Sequence, residues 1–209
     1  GLYRLMDRIS AVCSLIRPCD CLADIGCDHG LVAKYALDNG VKEVIAADIS
    51  EGSLKKAKKL LGGYPNVTYR LSDGFDKIEK KADVAVISGM GGQTIIGILS
   101  RLTYKPELIL GAQHNQKELR EYLIDNGYSI EEDFCVLDRG KFYDFMRAAE
   151  GQSPPLSAVQ LQYGVYYKRK NPDLKACMLD ALAKLKSYKT TQSNLYKLEL
   201  VKEVLKWQE

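Results

Sequence analysis

A doubly wound α/β sheet of parallel strands, closed by an antiparallel hairpin and followed by a small helical pair, is the fold the sequence predicts. Three observations predict it. Short apolar runs alternate with amphipathic stretches from residue 21 to residue 124, the succession that a parallel sheet with crossover helices requires. Two strand-like runs, 129–137 and 142–149, are then separated only by Asp138-Arg139-Gly140-Lys141. That link is too short for a parallel crossover, so the two strands are antiparallel neighbours. Beyond Gly151-Gln152-Ser153-Pro154-Pro155 the apolar residues recur every three or four positions, as in packed helices.

The elements follow in order. Leu2, Leu5, Met6, Ile9, Val12, Cys13 and Ile16 have helical spacing, which predicts an opening helix over 2–16 that stops near Pro18. Arg4 and Arg8 share one face of it, four residues apart. Buried parallel strands are expected at 21–25, 44–49, 67–71, 84–87 and 108–110, because apolar runs of that length are covered on both faces. Helices are expected at 31–37, 53–61, 93–102 and 118–124, with Gly40 and Gly127 in the left-handed turns that end two of them. After the hairpin, Met178, Leu182 and Leu185, then Leu195, Leu198, Val201 and Leu205, mark two helices that turn back near 189–194. The expected division is a sheet domain over 1–152 and a helical domain over 153–209.

With 209 residues, 46% of them apolar, the chain is long enough to bury a full core. It has no apolar run of 18 residues, so no transmembrane helix is expected. Its first residues lack the basic, apolar, small-residue order of a secretory leader. The six cysteines include no CxxC pair, which argues against a disulfide framework or a zinc site. Reduced thiols, a cytoplasmic location and no metal are the expectation. From Leu156 onward ten basic and five acidic residues leave +5, against −2 in the preceding part and +3 overall. A basic tail behind a slightly acidic front is compatible with a nucleic-acid grip joined to a small-molecule pocket, or with exposed helices kept soluble by lysine.

The residues that carry chemistry lie after the strands. Asp24-Ile25-Gly26-Cys27-Asp28-His29-Gly30 joins the first strand to the first crossover helix, the edge that borders the ligand crevice in open α/β sheets. Its glycine spacing is G-x-x-x-G, not the G-x-G-x-x-G that cradles a pyrophosphate. Asp24 and Asp28 are sensible neighbours for a cation such as the sulfonium or ammonium of S-adenosylmethionine. Asp48 closes the second strand 22 residues after Gly26, where a carboxylate accepts from both ribose hydroxyls or else caps the next helix. Asp73-Gly74-Phe75 offers a carboxylate and an apolar wall to an adenine, or an ordinary Asp-Gly turn. Ser88-Gly89-Met90-Gly91-Gly92 exposes backbone at the mouth of the sheet but lacks the Lys-Ser/Thr of a phosphate loop. Gln113-His114-Asn115 places amides where they read a base edge or cap a helix. His29 and His114 are the only histidines.

Taken together these residues resemble the TrmK-type bacterial tRNA (adenine-N1) methyltransferases. The likeness runs from Arg4-Leu5 and Ile9 through Ala23-Asp24-Ile25-Gly26-x-Asp28-His29, Asp73-Gly74 and Gly89-Met90-Gly91-Gly92. It continues through Gln113-x-Asn115, Gly140-Lys141-x-Tyr143 and the helical C-terminal extension. The chain departs from the pattern at Cys27, where Ser is common, at Gly30-Leu31-Val32, which replaces Ala-Tyr-Leu, and at His114, which replaces Pro. The resemblance implies a Rossmann-like class I methyltransferase sheet, S-adenosylmethionine as cofactor and tRNA as partner, with methyl transfer to N1 of the adenine at position 22. It implies cofactor contacts from Asp24, Gly26, Asp28, Asp48, Ile49, Asp73, Gly74, Gly89, Met90 and Gly91. Asp28, His29 and Asn115 are the candidates beside the reacting base, and Arg4, Arg8, Gln113, Lys141, Tyr143, Lys168, Arg169 and Lys170 the candidates for holding RNA. No membrane partner is expected, and a monomer is favoured. A methyltransferase for another substrate keeps the cofactor residues but gives no reason for the basic tail. A non-catalytic RNA-binding protein leaves the acidic strand ends without purpose, and a nicotinamide-dependent oxidoreductase lacks its pyrophosphate glycines.

Overall fold

The structure is a computed structural model, and it describes residues 6–209. The chain runs α1 (Arg8–Ser14), β1 (Cys19–Ile25), α2 (Leu31–Asp38), β2 (Val41–Asp48), α3 (Glu51–Leu61), β3 (Val67–Leu71), β4 (Val84–Met90), α4 (Gly92–Ser100) and β5 (Glu107–Ala112). It continues α5 (Gln116–Asp125), β6 (Tyr128–Asp138), β7 (Lys141–Glu150), α6 (Ala158–Tyr163), α7 (Pro172–Ser187) and α8 (Gln192–Trp207). The seven strands form one sheet in the order β3-β2-β1-β4-β5-β7-β6. The first five pair in parallel, and β7 runs antiparallel between β5 and β6. The chain therefore winds outward from β1 to β3, returns to β4 and winds the other way, which makes the gap between the ends of β1 and β4 the topological switch point.

Both faces of the central strands are buried. Cys21, Ala23 and Ile25 of β1 join Ile95, Ile98 and Leu99 of α4 and Leu119 and Leu123 of α5 in one core. Leu22 faces the other way and joins Val12 of α1 and Val32, Ala33 and Ala36 of α2. This period-two division explains why the strands read as continuous apolar runs. The β6–β7 hairpin turns on Arg139 (φ 50°) and Gly140 (φ 76°), with Asp138 paired to Lys141. Two successive left-handed residues match the right-handed twist of the strands.

Two details differ from the sequence expectation. The opening helix begins at Arg8, because Asp7 is its N-cap and accepts from the Ser10 N–H at 2.7 Å; the part expected before residue 6 lies outside the described residues. A short additional helix, α6, is set by a capping box between Ser157 and Gln160. The α7–α8 pair forms as expected, and its buried Met178, Val201 and Val204 pack with Cys135 of β6. The segment leading into α7 also covers the free edge of β6. Asn171 Nδ2 donates to the Cys135 carbonyl at 3.0 Å, and the Leu137 N–H donates to Asp173 Oδ2 at 3.0 Å. A sheet edge that would otherwise offer unpaired backbone groups is thereby closed.

Arg120 of α5 joins these layers. It is fully buried and donates to both oxygens of Asp133 at 2.8 and 3.1 Å, to Asp144 Oδ2 at 2.6 Å and to the Leu161 carbonyl at 3.0 Å. The Val165 N–H donates to Asp133 Oδ2 at 2.9 Å. One guanidinium thus ties α5, both strands of the hairpin and the end of α6 into a single polar unit. Burial pushes the Asp144 carboxyl up to about 6, with Arg120 acting in the opposite sense.

Candidate active site

At the switch point, the carboxyl ends of β1, β2 and β4 open into a cavity of about 400 Å³. The turn after β1 builds its floor. The N–H groups of Gly26 and Cys27 both donate to the Ala47 carbonyl, at 2.8 and 2.9 Å, which draws the turn against β2. Gly26 (φ 74°) and Asp28 (φ 49°) then adopt left-handed conformations, and a side chain at Gly26 would meet the end of Met90 at 2.7 Å.

One lobe of the cavity is acidic. Asp24 is 2% exposed, and its Oδ2 is buried without a hydrogen-bond partner. Burial, followed by the charges of Asp48 and Asp28, pushes its carboxyl up to about 7. Asp48 is held in place by accepting the Asp28 N–H at 3.0 Å on one oxygen and the Ser50 N–H at 2.9 Å on the other. Ser50, not Asp48, is the N-cap of α3. Each Asp48 oxygen therefore keeps lone-pair capacity for a further donor. Beside it Ile49 is 74% exposed, a large apolar surface at the mouth. The Asp28 carboxylate lies 3.4 Å from His29 Nε2, which lies 3.4 Å from Lys56 Nζ. Asp73 also lines the cavity, and its Oδ1 is paired with Arg101 at 3.1 Å.

The second lobe is apolar and aromatic. Arg8, Ile9 and Val12 of α1 line it together with Tyr143 and Phe145 of β7, Ser88 and Gly111. The Tyr143 and Phe145 rings are stacked with centroids 6.2 Å apart. Gly111 is required here, since a Cβ would lie 2.7 Å from the Phe145 ring. Arg8 reaches across with Nε 4.0 Å from Asp138 Oδ2.

These two lobes fit an adenosyl sulfonium. A buried carboxylate oxygen with no partner is stabilised by a cation, and unpaired buried charge is otherwise costly. Asp48 has acceptor capacity for ribose hydroxyls, and Ile49 has an exposed apolar face for an adenine. A pyrophosphate does not fit: Asp24, Asp28 and Asp48 would repel it, and among the described residues Arg8 is the one Lys or Arg in the lining.

The fold brings most of the sequence candidates together. Asp24, Gly26, Asp28, His29, Asp48, Ile49, Asp73, Gly74, Gly89, Met90, Arg8 and Tyr143 all line the cavity. Others are not in its lining. Asn115 (φ 56°) is exposed at the head of α5 without a side-chain capping bond. Its backbone packs so closely against Gly92 that a Cβ there would be 2.3 Å from the Asn115 carbonyl oxygen. The Gly92 N–H donates to the His114 carbonyl at 2.7 Å, which joins the loop after β4 to the loop after β5; Gly91 and Gln113 of these loops are also outside the lining. Lys141 is exposed at the hairpin turn. Lys168 lies over the Trp207 ring at 4.8 Å, Arg169 lies over Tyr166 at 4.0 Å, and Lys170 bonds the Glu209 carbonyl. Phe75, expected as a wall, packs into the core beneath instead, and Arg4 lies outside the described residues. Sequence reasoning missed Phe145 and Gly111. A glycine inside an apolar strand run is the signal that marks a close approach by another group.

All six cysteines are unpaired. Among the described residues no group of three His, Cys, Asp or Glu is arranged to hold a metal, and no helix is long and apolar enough to cross a membrane.

Comparison with known proteins adds the following. Residues 5–146 match a methyltransferase domain family. A Mycoplasma pneumoniae protein assigned as a tRNA methyltransferase is 35% identical over 144 residues, 65% of this chain and 67% of that protein. The tRNA (adenine(22)-N(1))-methyltransferase of Bacillus subtilis is 32% identical over 157 residues, 71% of this chain and 66% of its own length. The chain thus aligns with about two thirds of each of these relatives. A Streptococcus pneumoniae structure, assigned as a tRNA (m1A22) methyltransferase and solved with S-adenosyl-L-methionine, superposes with a TM-score of 0.86 at 26% identity. It covers 95% of this chain and 98% of its own.

Proposed function

Since the chain belongs to the methyltransferase domain family, and within it to the TrmK-type tRNA (adenine-N1) methyltransferases, we propose that it methylates N1 of the adenine at position 22 of tRNA. The observation that carries this reading is the buried, unpartnered Asp24 oxygen in a cavity also lined by Asp28, Asp48, Tyr143 and Phe145. S-adenosylmethionine, when bound, supplies a sulfonium methyl for transfer.

The chain's own residues do the rest. Asp48 accepts ribose hydroxyls, Ile49 covers an adenine face, and Asp24 faces positive charge. Gly26, Gly74, Gly89 and Met90 shape the backbone side of that lobe. Arg8, Tyr143 and Phe145 wall the slot for the target base. N1 of adenine carries a lone pair at neutral pH, so no side chain has to remove a proton first, and the main contribution is alignment. The product ring is cationic, and the Asp28 carboxylate with His29 beside it stabilises that charge. N1 lies on the pairing edge, so the base must be turned out of any helix before it enters. Residues 153–209 form the grip on the RNA backbone, with Lys168, Arg169, Lys170 and the rest of the basic tail, and residues 1–152 hold the cofactor. The working form is a monomer in the cytoplasm.

The test uses an unmodified tRNA transcript and radiolabelled S-adenosylmethionine. About one methyl per transcript is expected, and a transcript with guanine at position 22 takes none. Equal labelling of both transcripts would reject the target, and no labelling of either would reject the activity. Asp28→Ala is expected to slow single-turnover transfer at least about tenfold at saturating cofactor, the scale of one charge-stabilising group. An unchanged rate removes Asp28 from the chemistry.

A further inference from the structure

A second cavity, of about 290 Å³, lies where the segment between α6 and α7 crosses the edge of β6. We propose that it is a second nucleobase subsite, which takes an unstacked nucleotide of the same RNA while the target adenine occupies the first cavity. The proposal rests on the function proposed above and deepens it.

The walls are the side chains of Phe134, Tyr163, Tyr166 and Met6, aromatic or soft apolar surface against which any base stacks regardless of its identity. The carboxylates in the lining are already engaged. Asp133 accepts from Arg120 and from the Val165 N–H, and Asp173 accepts from the Leu137 N–H. The basic residues of the lining, Arg169 and Lys170, are exposed. Arg169 lies with its guanidinium 4.0 Å from the Tyr166 ring centroid, and Lys170 follows it in the lining. Arg169 also pairs with Glu132 at 3.2 Å, but both side chains are well exposed, so water screens that pair and a phosphate can compete for it. An apolar, aromatic interior with exposed basic residues has the charge and shape of a nucleotide: flat base inward, phosphate outward.

The position supports the same occupant. The Phe134 ring in this cavity is 6.1 Å from the Phe145 ring that walls the first. Met6 lines one cavity, and Arg8, two residues on, lines the other. A strand splayed across the α1 N-terminus therefore meets both slots in succession. A single-stranded segment held at two bases is also kept from restacking the target, which an enzyme acting on a pairing edge requires.

The test compares the full-length protein with Met6→Trp, which fills the cavity from an exposed position, and with Arg169→Ala, a surface change that leaves the core untouched. Each is expected to raise the KM for tRNA about tenfold, with S-adenosylmethionine affinity and melting temperature at wild-type values. A tRNA carrying 4-thiouridine near position 22 is expected to photocrosslink to residues 163–170, mapped by mass spectrometry. Wild-type KM in Arg169→Ala and in folded Met6→Trp would overturn the subsite, as would crosslinks confined to other segments; a cavity that serves a protein partner gives that result. Wild-type protein methylating the same transcript is the control that separates failure of this inference from failure of the activity itself.

Discussion

Asp24→Asn is expected to stabilise the ligand-free protein while it weakens S-adenosylmethionine binding by about a hundredfold, the scale of losing one buried charge partner. The side chain is buried, one oxygen has no partner, and its carboxyl is pushed up to about 7 from an ordinary 3.8. A folded-state value above the unfolded one means that the folded chain holds the proton more tightly. The stability associated with this residue is therefore fully present below about pH 4 and is lost as pH rises through about 7. At pH 8 the wild type carries the full cost, on the order of a few kcal/mol at about 1.4 kcal/mol per unit. Asn has the same shape without the charge, so the rise in melting temperature is larger at pH 8 than at pH 5. Cofactor affinity runs the other way. A cation prefers the ionised carboxylate, so wild-type affinity falls by up to about tenfold per unit below pH 7, and this dependence is absent from Asp24→Asn. Calorimetric titration and thermal melts from pH 5 to pH 8 measure both. Equal affinity of the two proteins at pH 8 would remove Asp24 from the binding site.

Arg120→Ala is expected to destabilise the fold by about 3–5 kcal/mol, the usual cost of breaking a buried ion pair from one side. The change leaves Asp133 and Asp144 facing each other with side chains 1% and 14% exposed, and it strands the Leu161 carbonyl. For a chain of this length that corresponds to about 10 °C or more in melting temperature. Asp144 is already raised to about 6 by burial even with the guanidinium beside it. Without Arg120 the Asp144 carboxyl takes up a proton more readily, so the loss is smaller at pH 5 than at pH 8. The combination of Arg120→Met with Asp133→Asn and Asp144→Asn removes all three charges and should recover part of the stability, since neutral replacement of a buried network is tolerated better than half of it. Urea unfolding at both pH values decides this. A loss under about 1 kcal/mol would mean that the network is dispensable.

Much of the fold was legible because its determinants are local. The runs that became β1, β2, β4 and β5 announce strands by length and apolarity, and Asp138-Arg139-Gly140-Lys141 forces an antiparallel hairpin by its brevity alone. The start of α1 was misplaced because the apolar spacing continues through Met6, whereas Asp7 caps the helix by a single hydrogen bond. In the site, Asp24, Asp28 and Asp48 could be read from their places at strand ends, and topology brings those ends to one edge. Asn115 follows β5 in the same way, yet it adopts a left-handed conformation and is exposed outside the cavity lining.

The sequence by itself determined the order of elements, the open sheet with its closing hairpin, the helical pair, and the acidic character of the strand ends. These depend on periodicity and on turn chemistry over a few residues. Only the tertiary structure decided that Asp24 lies buried with an oxygen unpaired, that the Phe145 ring packs against Gly111, and that Arg120 joins α5 to Leu161. It also decided that a second aromatic cavity opens beside the first. Those features are made by residues 34 or more positions apart for Gly111 with Phe145 and 41 apart for Arg120 with Leu161. Such partners are chosen by close packing of the whole chain, on which local spacing is silent.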